Sequence, residues 1–208
     1  MEIKVFVEGP IDANNYLLID EKSREAVLID CSAPDADFIE NIKKADVKLK
    51  YIFLTHGHFD HILGVDKFKE VFDVDTYMNE EDLSQVGFCG KMMQMFAGML
   101  PVSIKTINHF VKDGDEFKFG NIKVKCISTP GHTKGGMSYL INGKLFSGDT
   151  LFHGSVGRCD LPGGELKAIS HSIKDKLFVL PDETKVFPGH GSETTIGYEK
   201  KYNEILNI

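Results

Sequence analysis

Thiol pairs are missing from this 208-residue chain: its four cysteines, Cys31, Cys89, Cys126 and Cys159, lie far apart with no Cys-x-x-Cys. That spacing argues against a disulfide framework and against a thiolate zinc site, and leaves reduced, mostly packed thiols. Basic residues are in short supply too, 24 Lys and Arg against 31 Asp and Glu, for a formal net charge of -7. Nucleic acid and acidic membrane surfaces are therefore poor partners. No apolar run approaches membrane-spanning length. The N-terminus, Met-Glu-Ile-Lys-Val-Phe-Val-Glu, alternates like a strand and has neither the basic start nor the unbroken apolar stretch of an export signal. Repeats, linkers and low-complexity segments are absent as well. What remains is an ordinary globular composition, 42% hydrophobic and 26% charged. It suits one cytoplasmic domain spanning residues 1–208, long enough for a well-buried core.

Hydrophobic periodicity gives the coarse plan. Strands are expected at about 2–7, 15–19, 26–30 and 50–54, with an amphipathic helix at 34–45. After a polar turn follow a helix at about 62–71, a strand at 74–78 and a helix at 79–86. Asp113-Gly114 and Gly120-Asn121 bound two short strands, 116–119 and 122–127, in a hairpin pattern. Strands at 136–141 and 144–147 come next. Leu166, Ile169, Ile173 and Leu177 recur at helical spacing over 165–178, then a strand at 185–187 and a helix at 197–206 close the chain. Strands followed by helices, twice over, predict two β-layers with helices outside.

The chemistry concentrates at strand ends. Leu54-Thr55-His56-Gly57-His58-Phe59-Asp60-His61 packs three histidines and an aspartate into six residues just after an apolar strand. In such a turn alternate residues converge, so that His56 and His58 reach one ion while Asp60 and His61 reach a neighbour. Three further donors, His132, Asp149 and His190, each follow a glycine at another strand end. Imidazole and carboxylate without thiolate suit zinc, iron or manganese, with zinc the commonest in hydrolysis. His109 and His171 read as ordinary packed or solvated side chains.

This order, His-x-His-x-Asp-His, then a single His, a single Asp and a final His, resembles the metallo-β-lactamase superfamily over nearly the whole chain. The resemblance implies an α/β fold, the four-layer αββα sandwich. It also implies that His56, His58 and His132 hold one divalent ion, that Asp60, His61 and His190 hold a second, and that Asp149 bridges them. Asp149, where a true β-lactamase has serine or cysteine, points instead to an intracellular hydrolase. The strings Ser147-Gly148-Asp149-Thr150-Leu151-Phe152, Ser155-Val156-Gly157-Arg158, Asp160-Leu161-Pro162-Gly163-Gly164 and Pro188-Gly189-His190-Gly191 look like the short, single-domain glyoxalase II-like hydrolases.

That likeness implies a binuclear hydrolase acting on a small-molecule thioester such as a hydroxyacylglutathione. A hydroxide held between the metals attacks the carbonyl, with Asp60 as the catalytic carboxylate that orients it and takes its proton. Full-length glyoxalase II adds a helical, glutathione-binding domain after the last histidine, and this chain has no room for one. Arg158 falls where that family has a glutathione-contacting lysine, so an anionic substrate is expected at Arg158, assisted by His153; a salt bridge to Asp160 is the alternative. Asp160 replaces a binding tyrosine, which leaves glutathione itself open. Two other functions stay in view. One is a mononuclear iron enzyme like the persulfide dioxygenases, whose Gly-x-Gly-Arg-x-Asp pattern is matched in part by Val156-Gly157-Arg158-Cys159-Asp160; the other is a non-catalytic metal-binding protein. Asp30, Thr55 and Thr133 are candidate partners for ligand imidazoles. The Met-rich segment 88–100 reads as core in preference to a wall of the cleft.

Overall fold

The computed structural model describes residues 1–98, 104–105 and 107–207. Chain order runs β1 (Glu2–Glu8), β2 (Ala13–Ile19), β3 (Glu25–Ile29), α1 (Ala36–Lys44), β4 (Lys48–Phe53), α2 (Phe59–Ile62), α3 (Val65–Phe72), β5 (Asp75–Met78), α4 (Leu83–Met92) and β6 (His109–Phe110). The second half comprises β7 (Glu116–Phe119), β8 (Ile122–Ser128), β9 (Met137–Ile141), β10 (Lys144–Gly148), α5 (Leu166–His171), β11 (Lys185–Pro188), β12 (Thr194–Thr195) and α6 (Ile196–Tyr202). Each half forms one six-stranded mixed sheet, ordered β1-β2-β3-β4-β5-β6 and β12-β11-β10-β9-β8-β7.

Alternation along the strands explains why the sheets stack and why helices cover both outer faces. Tyr16, Leu18, Val27, Ile29 and Phe53 of the first sheet meet Val124, Cys126, Tyr139, Ile141, Phe146 and Phe187 of the second in a shared core. Their neighbours point the other way. Leu17, Ile19, Ala26, Leu28 and Ile52 pack under Phe38 and Ile42 of α1 and Phe68 of α3, while Leu145 and Val186 pack under Ile169 of α5, Ile173 and Ile196. Strands buried on both faces cannot alternate with polar residues, so they read as continuous apolar runs. The result is the αββα sandwich.

Local departures from the sequence reading have physical causes. The helix expected at 62–71 is two helices, α2 and α3, because the chain turns at Leu63-Gly64, where a Cβ on Gly64 would collide with Cys31 and Ala33. The helix expected at 79–86 starts as a 3-10 turn over Glu80–Asp82 and runs on through α4 into a π-type turn, Met93–Ala97. Likewise α5 passes into a π-type turn at Ser172–Leu177, which keeps Ile173 and Leu177 on the core face. Within the Met-rich segment Cys89, Met92 and Met93 are core residues and Met95 is exposed; Met99 and Leu100 lie outside the described residues. All four cysteines are free. No helix among the described residues is long and apolar enough to cross a membrane.

Strand direction positions the site. Parallel pairing aligns β3 with β4 and β10 with β11, and the antiparallel β8-β9-β10 run returns β8 to the direction of β10. Asp30 and the His56 loop therefore leave the first sheet at the same end, and the loops after β8, β10 and β11 leave the second sheet together. The two ends are joined directly. Met137 N donates to Thr55 O at 2.8 Å, Asn14 N to Gly189 O at 2.7 Å, and the buried hydroxyls of Tyr139 and Tyr16 donate to Leu54 O and Pro188 O, both at 2.6 Å.

Candidate metal centre

Seven side chains from four loops converge at this end. Donor atoms of His56, His58 and His132 lie within 4.8 Å of one another, as do those of His56, His61 and Asp149, and those of Asp60, His61 and His190. Asp149 lies in the middle, its Oδ1 3.4 Å from His61 Nε2 and its Oδ2 3.6 Å from His132 Nε2 and 3.7 Å from His190 Nε2. Asp60 Oδ2 is 3.1 Å from His190 Nε2 and 3.2 Å from His61 Nε2. Gly189 makes the closeness achievable, since a Cβ there would strike Asp149 Oδ1 and His61.

The imidazoles are oriented through their outward nitrogens. His61 Nδ1 is 2.8 Å from Asp30 Oδ2, and Thr55 Oγ1 donates to the same carboxylate oxygen at 2.8 Å while lying 3.0 Å from His56 Nδ1. With Thr55 donating to Asp30, its oxygen accepts from His56 Nδ1–H. One buried carboxylate thus directs the Nε2 atoms of both His56 and His61 inward, the arrangement expected behind metal ligands. His132 Nδ1 contacts Arg158 O at 2.8 Å and His190 Nδ1 contacts Asp12 O at 3.2 Å, which turns their Nε2 atoms inward as well. His58 alone offers Nδ1, 2.9 Å from His132 Nε2.

The donor set fits metal ions on a test independent of motif. Buried polar atoms normally find partners. Among the described residues His56 Nε2, His58 Nε2, His61 Nε2 and Asp149 Oδ1 are buried with no hydrogen-bond partner, and Gln85 Oε1 is the fifth such atom. Three of them, His56 Nε2, His61 Nε2 and Asp149 Oδ1, belong to the inward-facing set and mark a place where cations supply the partner that no hydrogen bond does. Electrostatics agree. Burial and the neighbouring imidazoles push His56 far below the ordinary histidine value, and burial with His132 beside it brings His58 down to about 3, so both offer neutral lone pairs. Burial works against ionisation of Asp60 and Asp149, yet His61 and His190 hold both carboxylates below their usual range. Burial likewise opposes a charge on His61 and His190, and the flanking carboxylates overcome it and raise both. Without an ion, protonated imidazoles supply the positive charge that the carboxylates require.

A cleft opens onto the cluster, lined by His58, Asp60, His132, Asp149 and His190 together with Ile11, Phe59, Met92, Leu161 and Arg158. Met92 is the one residue of the Met-rich segment that reaches it among the described residues; Cys89 and Met93 pack with it in the core, while Lys91, Gln94 and Met95 are exposed. Arg158 faces the cleft while Nε and Nη2 grip Asp160 Oδ1 and Oδ2, both at 2.7 Å, which holds the Asp160 carboxyl down at about 2. The two readings of Arg158, cleft residue and salt-bridge partner, therefore coexist. His153 departs from its expected place: it stacks on Tyr198 with ring centroids 4.7 Å apart and faces a separate depression beside Lys185 and Glu193. Thr133 donates to Asp82 and not to a ligand imidazole. His109 stacks on Tyr77, and His171 lies exposed beside Asp175.

Sequence reasoning missed two supports. Asn14 Nδ2 donates to Pro188 O at 3.0 Å and Gly191 O at 2.9 Å, bracketing His190. Asp82, fully buried, accepts from Gly57 N, Thr133 Oγ1 and Gly135 N. Neither carries a local signal: an asparagine in a strand and an acid at a helix start are ordinary until the chain folds.

Comparison with known proteins agrees with the geometry. The profile of the metallo-beta-lactamase superfamily matches residues 9–190. Hydroxyacylglutathione hydrolase GloC of Haemophilus influenzae is 33% identical over 100% of this chain and 99% of its own. The crystal structure of BLEG-1 B3 metallo-beta-lactamase superimposes with a TM-score of 0.91 at 32% identity, covering 100% of both chains. That of TTHA1623 in a di-iron-bound form does so with a TM-score of 0.86 at 32% identity, over 97% of this chain and 98% of the other. The inward-facing His and Asp donors thus stand on a shared scaffold, and the chain belongs to the metallo-beta-lactamase superfamily.

Proposed function

We propose that this chain is a binuclear metal-dependent hydrolase of thioesters. The observation that carries the reading is the set of seven convergent donors, three of whose inward-facing buried atoms, His56 Nε2, His61 Nε2 and Asp149 Oδ1, lack a hydrogen-bond partner from the protein. His56, His58 and His132 would hold one ion, Asp60, His61 and His190 the second, with Asp149 between them. Bound there, the ions would supply an activated water and polarise the scissile carbonyl.

The chain's own residues do the rest. Asp60, whose Oδ2 lies beside His61 and His190, would be ionised next to the second ion, so its carboxylate accepts a hydrogen bond from the attacking water and hands that proton to the thiolate that leaves as the C–S bond breaks. Ile11, Phe59, Met92 and Leu161 exclude bulk water from the reacting carbonyl. Arg158, on the cleft wall, draws an anionic group of the substrate. Likeness to GloC over the whole chain supports the thioester. Zinc suits hydrolysis, and the di-iron form of a similar structure keeps iron as the alternative.

Metal analysis of the purified protein combined with a turnover screen tests the reading. Two ions per chain and hydrolysis of thioesters, abolished by chelation, are expected. Full activity with one equivalent of iron and persulfide as substrate would replace the proposal with the dioxygenase reading. Turnover of a β-lactam in preference to any thioester would replace the substrate class, and a metal-loaded protein inert on all three would leave a binding protein.

A further inference from the structure

We infer that Asp82 is the positioning residue of the all-imidazole pocket, its buried carboxylate tying the loop of His56 and His58 to the loop of His132. The gap between those loops is the space in which the three imidazoles hold an ion, so the clamp sets that ion's affinity. The inference rests on the two-ion reading above.

Asp82 sits just ahead of α4 and is 0% exposed. Its Oδ2 accepts from Gly57 N at 2.9 Å and from Thr133 Oγ1 at 2.7 Å, and its Oδ1 accepts from Gly135 N at 2.6 Å. Gly57 separates His56 from His58, and Thr133 follows His132. A displacement of either loop therefore breaks a bond to a desolvated carboxylate, a costly loss in the interior. The approach is tight: a Cβ on Gly57 would come within 2.7 Å of Asp82 O. One turn further along α4, Gln85 Nε2 donates to Pro162 O at 2.6 Å, beside the cleft residue Leu161. The start of α4 thus anchors both ligand loops and the outer wall of the cleft.

Three donors face the Asp82 carboxylate, and only an acceptor with both oxygens available satisfies them all. An amide offers one oxygen and turns an NH2 against a donor. The consequence should fall on one ion. The carboxylate behind His61 and, through Thr55, His56 is Asp30. The three hydrogen bonds of the Asp82 carboxylate go to the loops of His56, His58 and His132, and none goes to Asp60 or His190.

The test titrates metal-free protein with cobalt(II), following visible absorption and binding heat, for the unmodified chain and for Asp82→Asn, Thr133→Val, His132→Ala and His190→Ala. Asp82→Asn is expected to weaken one of two ions by roughly 10- to 100-fold, to change the other less than about threefold, and to reproduce the spectrum of His132→Ala and not that of His190→Ala. Thr133→Val, which removes one of the three bonds, should weaken the same ion by a smaller factor. Equal weakening of both ions, or unchanged affinities with only a lower Tm, would overturn the inference. If Asp82→Asn does not fold, Thr133→Val decides alone by the same criterion. Uptake of a single ion by the unmodified chain would instead overturn the two-ion reading, and the clamp then stands or falls on whether that ion weakens in Thr133→Val.

Discussion

The two halves of the cluster solve the problem of holding a cation differently. His56, His58 and His132 form a pocket of buried imidazoles, the first two held neutral, whereas Asp60, His61 and His190, with Asp149 beside them, carry formal charge, and His190 among them reaches closer to water. His190 keeps 27% of its side chain exposed against 6% for His132. Burial among like imidazoles depresses His56 and His58, while carboxylates raise His61 and His190. His56 and His58 thus resist protons, whereas His61 and His190 attract them. Both pockets line the cleft, His58 and His132 from one and Asp60 and His190 from the other, so the Asp60 carboxylate lies where substrate and water arrive.

The largest expected effect comes from the charged half. Asp60→Asn should lower kcat by about 10²- to 10⁴-fold, the usual worth of a positioned acid-base group, with little change in the Tm of the metal-free protein. If kcat is unaffected while the second ion remains bound, Asp60 has no part in proton transfer. Asp30→Asn should weaken both ions by roughly 10- to 100-fold, because one carboxylate orients His61 directly and His56 through Thr55. An effect on one ion alone would break the relay. The pair Asp30→Asn and Asp82→Asn thereby separates a support shared by both halves from one that serves a single half.

Acid should tell the halves apart without mutation. A ligand whose pKa is raised takes up a proton at higher pH and so releases its ion earlier as the pH falls; a depressed ligand holds on. Between about pH 7 and about pH 5, where imidazoles ordinarily titrate, the ion at Asp60, His61 and His190 should dissociate before the one at His56, His58 and His132. Cobalt(II) absorption recorded along an acid titration checks the order, and loss of the imidazole pocket's ion first would reverse the assignment of the halves. A smaller effect is expected at the rim. Arg158→Ala should cost about tenfold in kcat/KM on a thioester with an anionic thiol portion, the low end for a charge-assisted hydrogen bond, because Asp160 already occupies two of its donors. Asp160→Ala should act in the opposite direction. Equal losses on neutral and anionic thioesters would make Arg158 structural. His171→Ala, on an exposed residue far from the cluster in every contact it makes, should leave metal content and turnover unchanged.

Much of this site was legible before folding because strand ends are local features. Apolar runs such as Tyr51 to Leu54 followed by His56-Gly57-His58, and glycine directly before His132, Asp149 and His190, mark places where a rigid strand hands over to a loop. Which apolar residue of a strand faces which layer came from the structure, which places Leu17 and Leu28 on the opposite face of the sheet from Leu18 and Val27. The two-residue strands β6 and β12 were not legible, since two residues have no period to detect. Nor could periodicity show that α5 would widen into a π-type turn.

What only the tertiary structure decided is which distant groups meet. Asn14 and Pro188 are 174 residues apart, Asp30 and His61 are 31 apart, and Asp82 and Thr133 are 51 apart, yet each pair shares a hydrogen bond. Local composition at Asp82 resembles any acidic helix start, and at His153 any loop histidine. Folding buried the first as a clamp and turned the second onto Tyr198, away from the cleft. Ligand identity was set by the sequence because donor chemistry belongs to the residue itself. The orientation of each ligand came from the fold, because the groups that point an imidazole inward lie on other strands and are brought beside it only by sheet packing.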